Sequence, residues 1–588
     1  MPSPGQLLLN TSRWLGRFGH LRSSLLFAAG ALIGAMGGLV VTGVGGITQW
    51  IHHALFLLPD GAKLSEQQAL SDWRLALIPA AGGLVMGATI ALNRHFRRRP
   101  PVDPIEANAL HGGRMSMRES AIITSQTVIS SSCGASVGLE AGYTQLASAL
   151  GSWLAVRLNL RRNEIRMLVG CGAAGAIAAA FGAPLTGAFY AFELIVGVYS
   201  IGLLAPVVGA ALAGNLLATQ LGAVQTPIEL GVMPSIAAFD IVPFIILGLV
   251  GGAFAVGLMR FVGLVERAFV KTRLPAWLRP AVGGLLVGGL GLVTPQVLSS
   301  GHGALHLQFT HDYGLLGLAG LLALKATASA VSLGSGFRGG LFFASLFIGA
   351  LLGKLCAVLA ASMGLDVDIG LAAVVGMAAV ATGVVGGPLT LTFLVLETTN
   401  DLAIASAVMV ASAISSVLVR ETFGFSFSTW RLHLRGESIK APYDVGRLRN
   451  LTVGGLMRTD INTVTCDMPL REFQRQFPLG STERVVAVGE HSAYAGIVLV
   501  AEAHQPQESS DSSEAVPTIA QFLRYQDRFL LAGLNAADAS AVFERAESEE
   551  LAVVENVSTK KVIGLLTEAY LLRRYSSALD QGWKDITN

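Results

Sequence analysis

Charge is scarce in this sequence. Asp, Glu, Lys and Arg make up 14% of the 588 residues, and the formal net charge is +2. With no run of Lys and Arg interleaved with aromatics beyond one short cluster, no nucleic-acid partner is expected. Cysteine is rarer still. Cys133, Cys171, Cys356 and Cys466 stand far apart, and none has a Cys or His at metal-ligand spacing, so neither a disulfide framework nor a metal site is expected. No nucleophile, base or metal cluster gathers at one place, so no catalytic residue is assigned and an enzyme is not expected. A cleavable leader is not expected either: the first apolar run, Ser24 to Ile51, exceeds a signal-peptide core and has no small-residue cleavage pattern after a short apolar stretch, and it reads as a retained span.

What the chain does have is apolar mass and glycine, at 52% hydrophobic residues and 69 Gly. This composition belongs to a polytopic membrane protein rather than a soluble one. The scarce charge is also unevenly spread: 36 of the 80 charged residues fall between Glu437 and Asn588, about 24% of that stretch against about 10% before it. Sixty of the glycines precede the same boundary, as expected where helices pack backbone to backbone in a bilayer. The domains expected are a cytoplasmic segment 1–23, a transmembrane region 24–436 and a cytoplasmic region 437–588.

Apolar runs able to enter a bilayer occur at Ser24–Ile51, Trp73–Leu92, Ile165–Ala180, Leu203–Leu221, Ile241–Val262, Ala281–Val293, Leu315–Leu333, Leu341–Leu359, Ile369–Val385 and Ala403–Val419. Several are shorter than the ~20 residues of a full span or are broken by Gly and Pro. Broken helices are tolerated where they are buried in protein or line a water cavity, as in channels and transporters. Arg13, Arg17 and Arg22 precede the first span, Asp60, Glu66 and Asp72 lie in the next loop, and Arg94, Arg97, Arg98 and Arg99 end the second span. With Arg420, Arg431, Arg435 and Lys440 after the last run, both termini are expected on the cytoplasmic side.

The sequence repeats itself. Gly182-Ala-Pro-Leu-Thr-Gly-Ala-Phe-Tyr-Ala-Phe-Glu193 and Gly386-Gly-Pro-Leu-Thr-Leu-Thr-Phe-Leu-Val-Leu-Glu397 match at Gly, Pro, Leu, Thr, Phe and Glu, 204 residues apart. At nearly the same offset Gly138-Leu-Glu-Ala-Gly142 pairs with Gly339-Gly-Leu-Phe-Phe343, the design of an inverted repeat with a site near the midplane. Glu140, an isolated carboxylate between glycines in the weakly charged stretch Ile122–Leu150, is read either as a functional group or as a cap or partner of Arg114 or Arg118. Gly334 to Ser345 is a glycine-rich loop that opens an apolar helix, with Arg338 just before it. Exposed amides and the positive helix end there suit an anion, and tight helix packing explains the same glycines.

These residues resemble a known family. Gly138-Leu-Glu-Ala-Gly142 resembles the Gly-x-Glu-Gly-Pro motif of the CLC chloride channels and chloride/proton exchangers. Gly339-Gly-Leu-Phe-Phe-Ala344 resembles their Gly-x-Phe-x-Pro motif, and Phe181-Gly-Ala-Pro-Leu-Thr-Gly187 their Phe-Asn-Ala-Pro-Leu-Ala-Gly segment. The resemblance implies a homodimer in a lipid bilayer, one pore per subunit, in a bacterial inner membrane. It implies Glu140 as the gate whose carboxylate competes with chloride or another small monovalent anion, and backbone at Gly138, Leu139, Ala141, Gly142, Leu341 and Phe342 as the anion site.

The chain also departs from the family. Gly142 and Ala344 stand where those two motifs end in proline. Pro101, in Pro100-Pro-Val-Asp-Pro104, stands for the anion-binding serine of Gly-Ser-Gly-Ile-Pro, a change associated with nitrate preference in some relatives, and Asp103 lies beside it. Ser428 aligns with the pore tyrosine. The proton-relay carboxylate aligns with Leu194, leaving Glu193 as the relay candidate or, equally, as a helix-end carboxylate. Both losses favour channel-like conduction.

In the tail, Arg484–Gly489, Gly496–Val500, Leu551–Val554 and Val562–Leu566 read as strands and Ala569–Tyr575 as a helix, with a polar loop at His504–Ser513. The pair resembles tandem CBS domains, which often bind adenine nucleotides through a Thr or Ser followed three residues later by Asp. Here Thr567 is followed by Tyr570, and Leu499 stands in the first copy, so a dimerisation role competes with nucleotide sensing. The fold expected is an all-α polytopic membrane protein, an inverted repeat of broken helices, with a cytoplasmic α/β CBS pair. The function expected is glutamate-gated anion conduction without a cofactor. Proton-coupled chloride or nitrate antiport is the first alternative, and a membrane-anchored nucleotide sensor with a degenerate pore the second.

Overall fold

The computed structural model describes residues 19–59, 61–67, 69–70, 72–96, 102–222, 241–310, 313–365, 367–434, 452–489, 492–505, 517–571 and 574. Pro101, Arg13, Arg17, Arg97 to Arg99, Arg435, Lys440, most of the polar loop at 504–513 and the expected boundary at 436/437 lie outside them. The chain forms two compact units, Met1–Asp444 and Val445–Asn588.

Among its described residues the first unit is helical. Its first eight helices are α1 (Gly19–Phe56), α2 (Ile78–Phe96), α3 (Pro104–Leu110), α4 (Met117–Ser132), α5 (Glu140–Arg157), α6 (Arg162–Phe181), α7 (Pro184–Tyr190, continued by a π-turn to Val196) and α8 (Ile201–Gln220). The next eight follow the same plan: α9 (Ile241–Lys271), α10 (Arg279–Val293), α11 (His302–Thr310), α12 (Leu315–Ser335), α13 (Phe342–Ser362), α14 (Ile369–Val385), α15 (Pro388–Thr399) and α16 (Leu402–Thr422). A last helix, α17 (Phe427–Leu434), closes the unit. Packing repeats with the order, for α1 lies on α6 and α8 as α9 lies on α14 and α16, and α5 lies on α6 as α13 lies on α14. Among the described residues eight helices are long and apolar enough to cross a membrane by length and composition. Their outward faces carry large apolar side chains, among them Leu32, Leu39, Leu212, Leu216, Ile246 and Leu249, the reverse of a water-soluble surface.

Glycine lets these helices touch. A Cβ on Gly34 of α1 would stand 2.0 Å from the Ala210 carbonyl oxygen of α8, one on Gly175 of α6 would stand 2.5 Å from the Gly34 Cα, and one on Gly214 of α8 2.5 Å from the Gly175 oxygen. Three backbones therefore meet at one point. The second half does the same at Gly349 and Gly353 of α13 against Gly376 of α14. Gly34→Ala is expected to destabilise the unit by about 1–3 kcal/mol, because the added methyl meets backbone that cannot turn aside. The check is the thermal midpoint of the detergent-solubilised protein.

The apolar runs in the sequence miss α4 and α5. Both are rich in small and polar residues, α4 in Ser and Thr and α5 in Ala, Ser and Gly, and are buried on most sides, α4 through Ser120, Thr124, Gln126, Thr127 and Ser130 to Ser132. A helix surrounded by protein needs no apolar outer face. Several of its hydroxyls are satisfied locally, Thr127 Oγ1 donating to the Ile123 carbonyl, Ser130 Oγ to Gln126 and Thr144 Oγ1 to Glu140.

The second unit repeats a smaller motif twice. Strand β1 (Thr463–Thr465) pairs parallel with β2 (Arg484–Val488), which pairs antiparallel with β3 (Tyr494–Leu499), and β4 (Leu523–Arg524) extends that sheet. In the second copy β5 (Leu530–Leu531) pairs parallel with β6 (Glu550–Val554), which pairs antiparallel with β7 (Val562–Thr567). Each antiparallel pair carries a register shift at the same place, Ala487/Val488 and Val553/Val554. Alternation divides β2: Val485 and Ala487 face the core of their own copy, with Phe473, and Val486 faces Ala552 and Val554 of the other. The strands predicted from sequence are all present. The helix expected from Ala569 begins directly after β7 and runs to Leu571 before the described residues are interrupted. The short strands β1, β4 and β5 were not expected, because two or three residues give no alternation to detect.

Candidate functional site

The site forms where the two halves of the first unit cross. The loop before α5 and the loop before α13 meet through Gly138 and Gly340. The Gly138 amide donates to the Gly340 carbonyl at 2.9 Å, and the Gly340 amide to the Gly138 carbonyl at 3.1 Å. A Cβ on Gly339 would lie 2.6 Å from Val137 Cβ, so the strands cross this closely only with glycine. Serines fix the crossing with the same two-fold logic: Ser130 Oγ accepts from the Arg338 amide at 3.0 Å, and Ser332 Oγ accepts from the Ser136 amide at 2.9 Å.

From this crossing α5 and α13 begin, at Glu140 and Phe342. Neither N-cap, Leu139 or Leu341, offers a capping side chain, so the first amides of both helices and the positive ends of their dipoles are left open to another negative group. Glu140 is buried, and its Oε2 has no hydrogen-bond partner among the described residues. The same oxygen would be 1.9 Å from a Cβ on Gly138 and 3.8 Å from one on Gly340. The carboxylate therefore lies over the glycine crossing, and Oε2 is not engaged by Arg114 or Arg118.

Glu140 also lines two cavities. The larger, about 180 Å³, is lined by Asp103, Thr127, Glu140, Ala141, Thr144, Gln145, Tyr190, Arg338 to Phe342, Ser428 and Arg431 among others. The smaller, about 100 Å³, is lined by His52, Lys63, Ser65, Ser131, Leu139, Glu140, Tyr143, Ser299, Ser300 and His302 among others. Behind the smaller cavity the wholly buried Lys325 donates to the carbonyls of Val297 (3.1 Å) and Ser299 (2.9 Å).

The expected site residues divide accordingly. Glu140, Ala141, Leu341, Phe342 and Ser428 gather at the larger cavity, and Leu139 faces the smaller. Gly138 and Gly142 are structural here rather than donors: the Gly138 amide is spent on Gly340, and the Gly142 amide donates to the Leu139 carbonyl at 2.8 Å. Asp103 faces the larger cavity, and its Oδ1 accepts from the Glu106 amide as the N-cap of α3. Tyr190 was not singled out from sequence although it lines the same cavity. Its signal was a phenol at the end of a repeat segment whose counterpart, Leu394, has none.

Glu193 lies elsewhere, and it has a twin. Its carboxylate accepts from the amides of Leu389 (2.9 Å) and Thr390 (2.8 Å) and from the Thr390 hydroxyl (2.6 Å) at the start of α15. Glu397 accepts from the amides of Leu185 (2.7 Å) and Thr186 (2.8 Å) and the Thr186 hydroxyl (2.8 Å) at the start of α7. Each half thus caps the other. Between the two clasps Phe189 stacks on Phe393 with centroids 4.1 Å apart, 204 residues from its equivalent. In the second unit Thr567 ends β7, its Oγ1 accepts from the Tyr570 amide at 3.3 Å, and Leu499 ends β3. Among the described residues no group of three His, Cys, Asp or Glu could hold a metal ion.

Residues 82–420 match the family model described as voltage gated chloride channel. A putative chloride channel protein of the ClcB-like kind from Ralstonia nicotianae is 30% identical over 374 residues, 62% of this chain and 86% of the relative. Among solved structures, a eukaryotic CLC transporter superposes with a TM-score of 0.61 at 16% identity, covering 93% of this chain and 98% of its own. A slow cyanobacterial chloride/proton antiporter superposes with a TM-score of 0.58 at 20% identity, over 70% of this chain and 97% of its own. The chain belongs to the voltage-gated chloride channel family, the CLC proteins, and is a multi-pass integral membrane protein of anion transport, not an enzyme.

Proposed function

We propose that chloride or a similar small monovalent anion crosses between the two cavities when the Glu140 carboxylate leaves the helix starts it now occupies. One observation carries this: Glu140, with one oxygen unpaired, lines both cavities at the point where α5 and α13 begin. Anion and carboxylate are alternative occupants of the same positive field. A proton on Glu140 removes its charge and its hold on that field, so acid favours the conducting state. Leu194 in the relay place, Ser428 in place of a phenol, and a Glu193 already committed to α15 support conduction without proton coupling. The chain works in this reading as a homodimer in the bacterial inner membrane with both termini cytoplasmic. Thr567 supplies a hydroxyl at which an adenine nucleotide would be held in the tail.

The test is purified protein in liposomes under opposed chloride and pH gradients, with anion and proton movement recorded together. Chloride efflux without proton movement is the expected result. Chloride-driven uphill proton movement would replace conduction by antiport. No anion flux, with ATP bound by the same protein in a calorimeter, would leave the nucleotide-sensor reading. Pro101→Ser is expected to shift the flux ratio of chloride to nitrate towards chloride by several-fold, measured on the same vesicles with each anion in turn.

A further inference from the structure

Most neutral donors at the larger cavity are already spent. Thr127 Oγ1 donates to the Ile123 carbonyl and Thr144 Oγ1 to the Glu140 carbonyl. The Gln145 amide group donates to the Val102 carbonyl at 3.0 Å and to Ser120 Oγ at 2.9 Å, which uses both its protons. Two hydroxyls are left on the lining, those of Ser428 and Tyr190. A serine reaches one bond beyond its Cβ, whereas a phenol carries its hydroxyl across a whole ring.

Tyr190 is also held where that reach is useful. It is the last residue of α7, and its ring packs 6.1 Å from the Phe342 ring, at the helix start that lines the cavity. The ring is half-buried, and it borders the cavity together with Glu140 and Thr144. Its phenol lies beside the Thr144 side chain and within electrostatic reach of Glu140 and Asp103. Because the Thr144 proton is committed, only its acceptor side is open to the phenol. The phenolic proton can then turn either to Thr144 Oγ1 or into the cavity.

We propose that Tyr190 is a specificity-determining donor, giving its phenolic hydrogen to the anion in the larger cavity in place of the tyrosine that Ser428 replaces. The inference rests on the anion-path reading above. A neutral O–H suits this position, because it attracts an anion without adding a buried cation that would also hold the Glu140 carboxylate in place.

The experiment is chloride binding by calorimetry on the purified full-length protein, with efflux from liposomes in parallel. Tyr190→Phe keeps the ring and removes only the hydroxyl, and chloride affinity is expected to fall about 10–100-fold, the worth of one hydrogen bond to a charged group. Tyr190→Phe combined with Ser428→Tyr is expected to recover it, because the phenol returns to the same cavity from α17. A merely structural ring would not be rescued from another helix. Unchanged affinity in Tyr190→Phe, or no recovery in the double variant, overturns the proposal. A measurement independent of folding yield uses wild-type sequence with 3-fluorotyrosine at position 190, whose fluorine signal should shift as chloride is added. A signal that stays fixed while the heat of binding develops likewise overturns it. Wild-type protein with no chloride binding or flux would instead remove the anion-path reading itself.

Discussion

Glu140→Gln is expected to make anion flux independent of pH and to raise it about tenfold at neutral pH. The amide has the shape of the carboxyl group and cannot ionise. In the native chain the carboxylate is stabilised at two uncapped helix starts, and exchanging a charge-assisted interaction for a neutral one forfeits about 1.4 kcal/mol or more, a factor of ten in the equilibrium between closed and open. The sign of the pH dependence follows. In the native chain, flux should rise as pH falls and Glu140 takes up its proton, whereas in the glutamine variant it should already be at the acid level. An anion-selective electrode outside chloride-loaded vesicles, read across a pH series, measures both. Flux and pH profile equal to those of the native protein would end the assignment of Glu140 as gate. Gly138→Ala separates charge from position. It leaves the carboxylate ionisable but places a Cβ 1.9 Å from where Oε2 now lies, so flux should rise while its pH dependence persists in altered form.

How far the sequence revealed this arrangement depended on which force built each part. Spans made by contact with lipid announce themselves as apolar runs, and all ten runs lie in helices or extend slightly past their ends. α4 and α5 are lined by protein, so their Ser, Thr and Gln gave no such signal although α5 carries Glu140. The glycine-flanked helix starts at 138–142 and 339–343 were legible because glycines there let the backbone come close, as at Gly339, where a Cβ would lie 2.6 Å from Val137 Cβ; the pairing of Gly138 with Gly340 was not. The finer roles were not legible. That the Gly138 and Gly142 amides are already paired depends on partners 202 and 3 residues away, and spacing cannot tell a free amide from an occupied one. Tyr190 was hidden for a related reason, because its importance arises from the spent protons of Thr127, Thr144 and Gln145 around it.

The repeated glutamates give the second large effect, and they decide what Glu193 does. Glu193→Ala and Glu397→Ala should each destabilise the first unit by about 2–4 kcal/mol, since each removes a carboxylate that accepts two amide protons and a hydroxyl at a helix start and leaves those donors half-buried and unpaired. The two losses should be nearly equal, because the geometry at α15 and at α7 is the same to within 0.2 Å for each bond. Thermal unfolding in detergent, followed by loss of the monodisperse peak, measures them. Equality is what a clasp between the halves requires and what a proton relay does not, for Glu397 is the partner by symmetry and has no place in a relay built on Glu193. The milder pair Glu193→Gln and Glu397→Gln completes the argument, since each amide keeps one acceptor oxygen and more of the fold. If Glu193 is a clasp, both glutamine variants lower the thermal midpoint and leave chloride flux per folded protein unchanged. If it is a relay, Glu193→Gln alone suppresses proton movement, and conduction must then be replaced by exchange as the account of this chain.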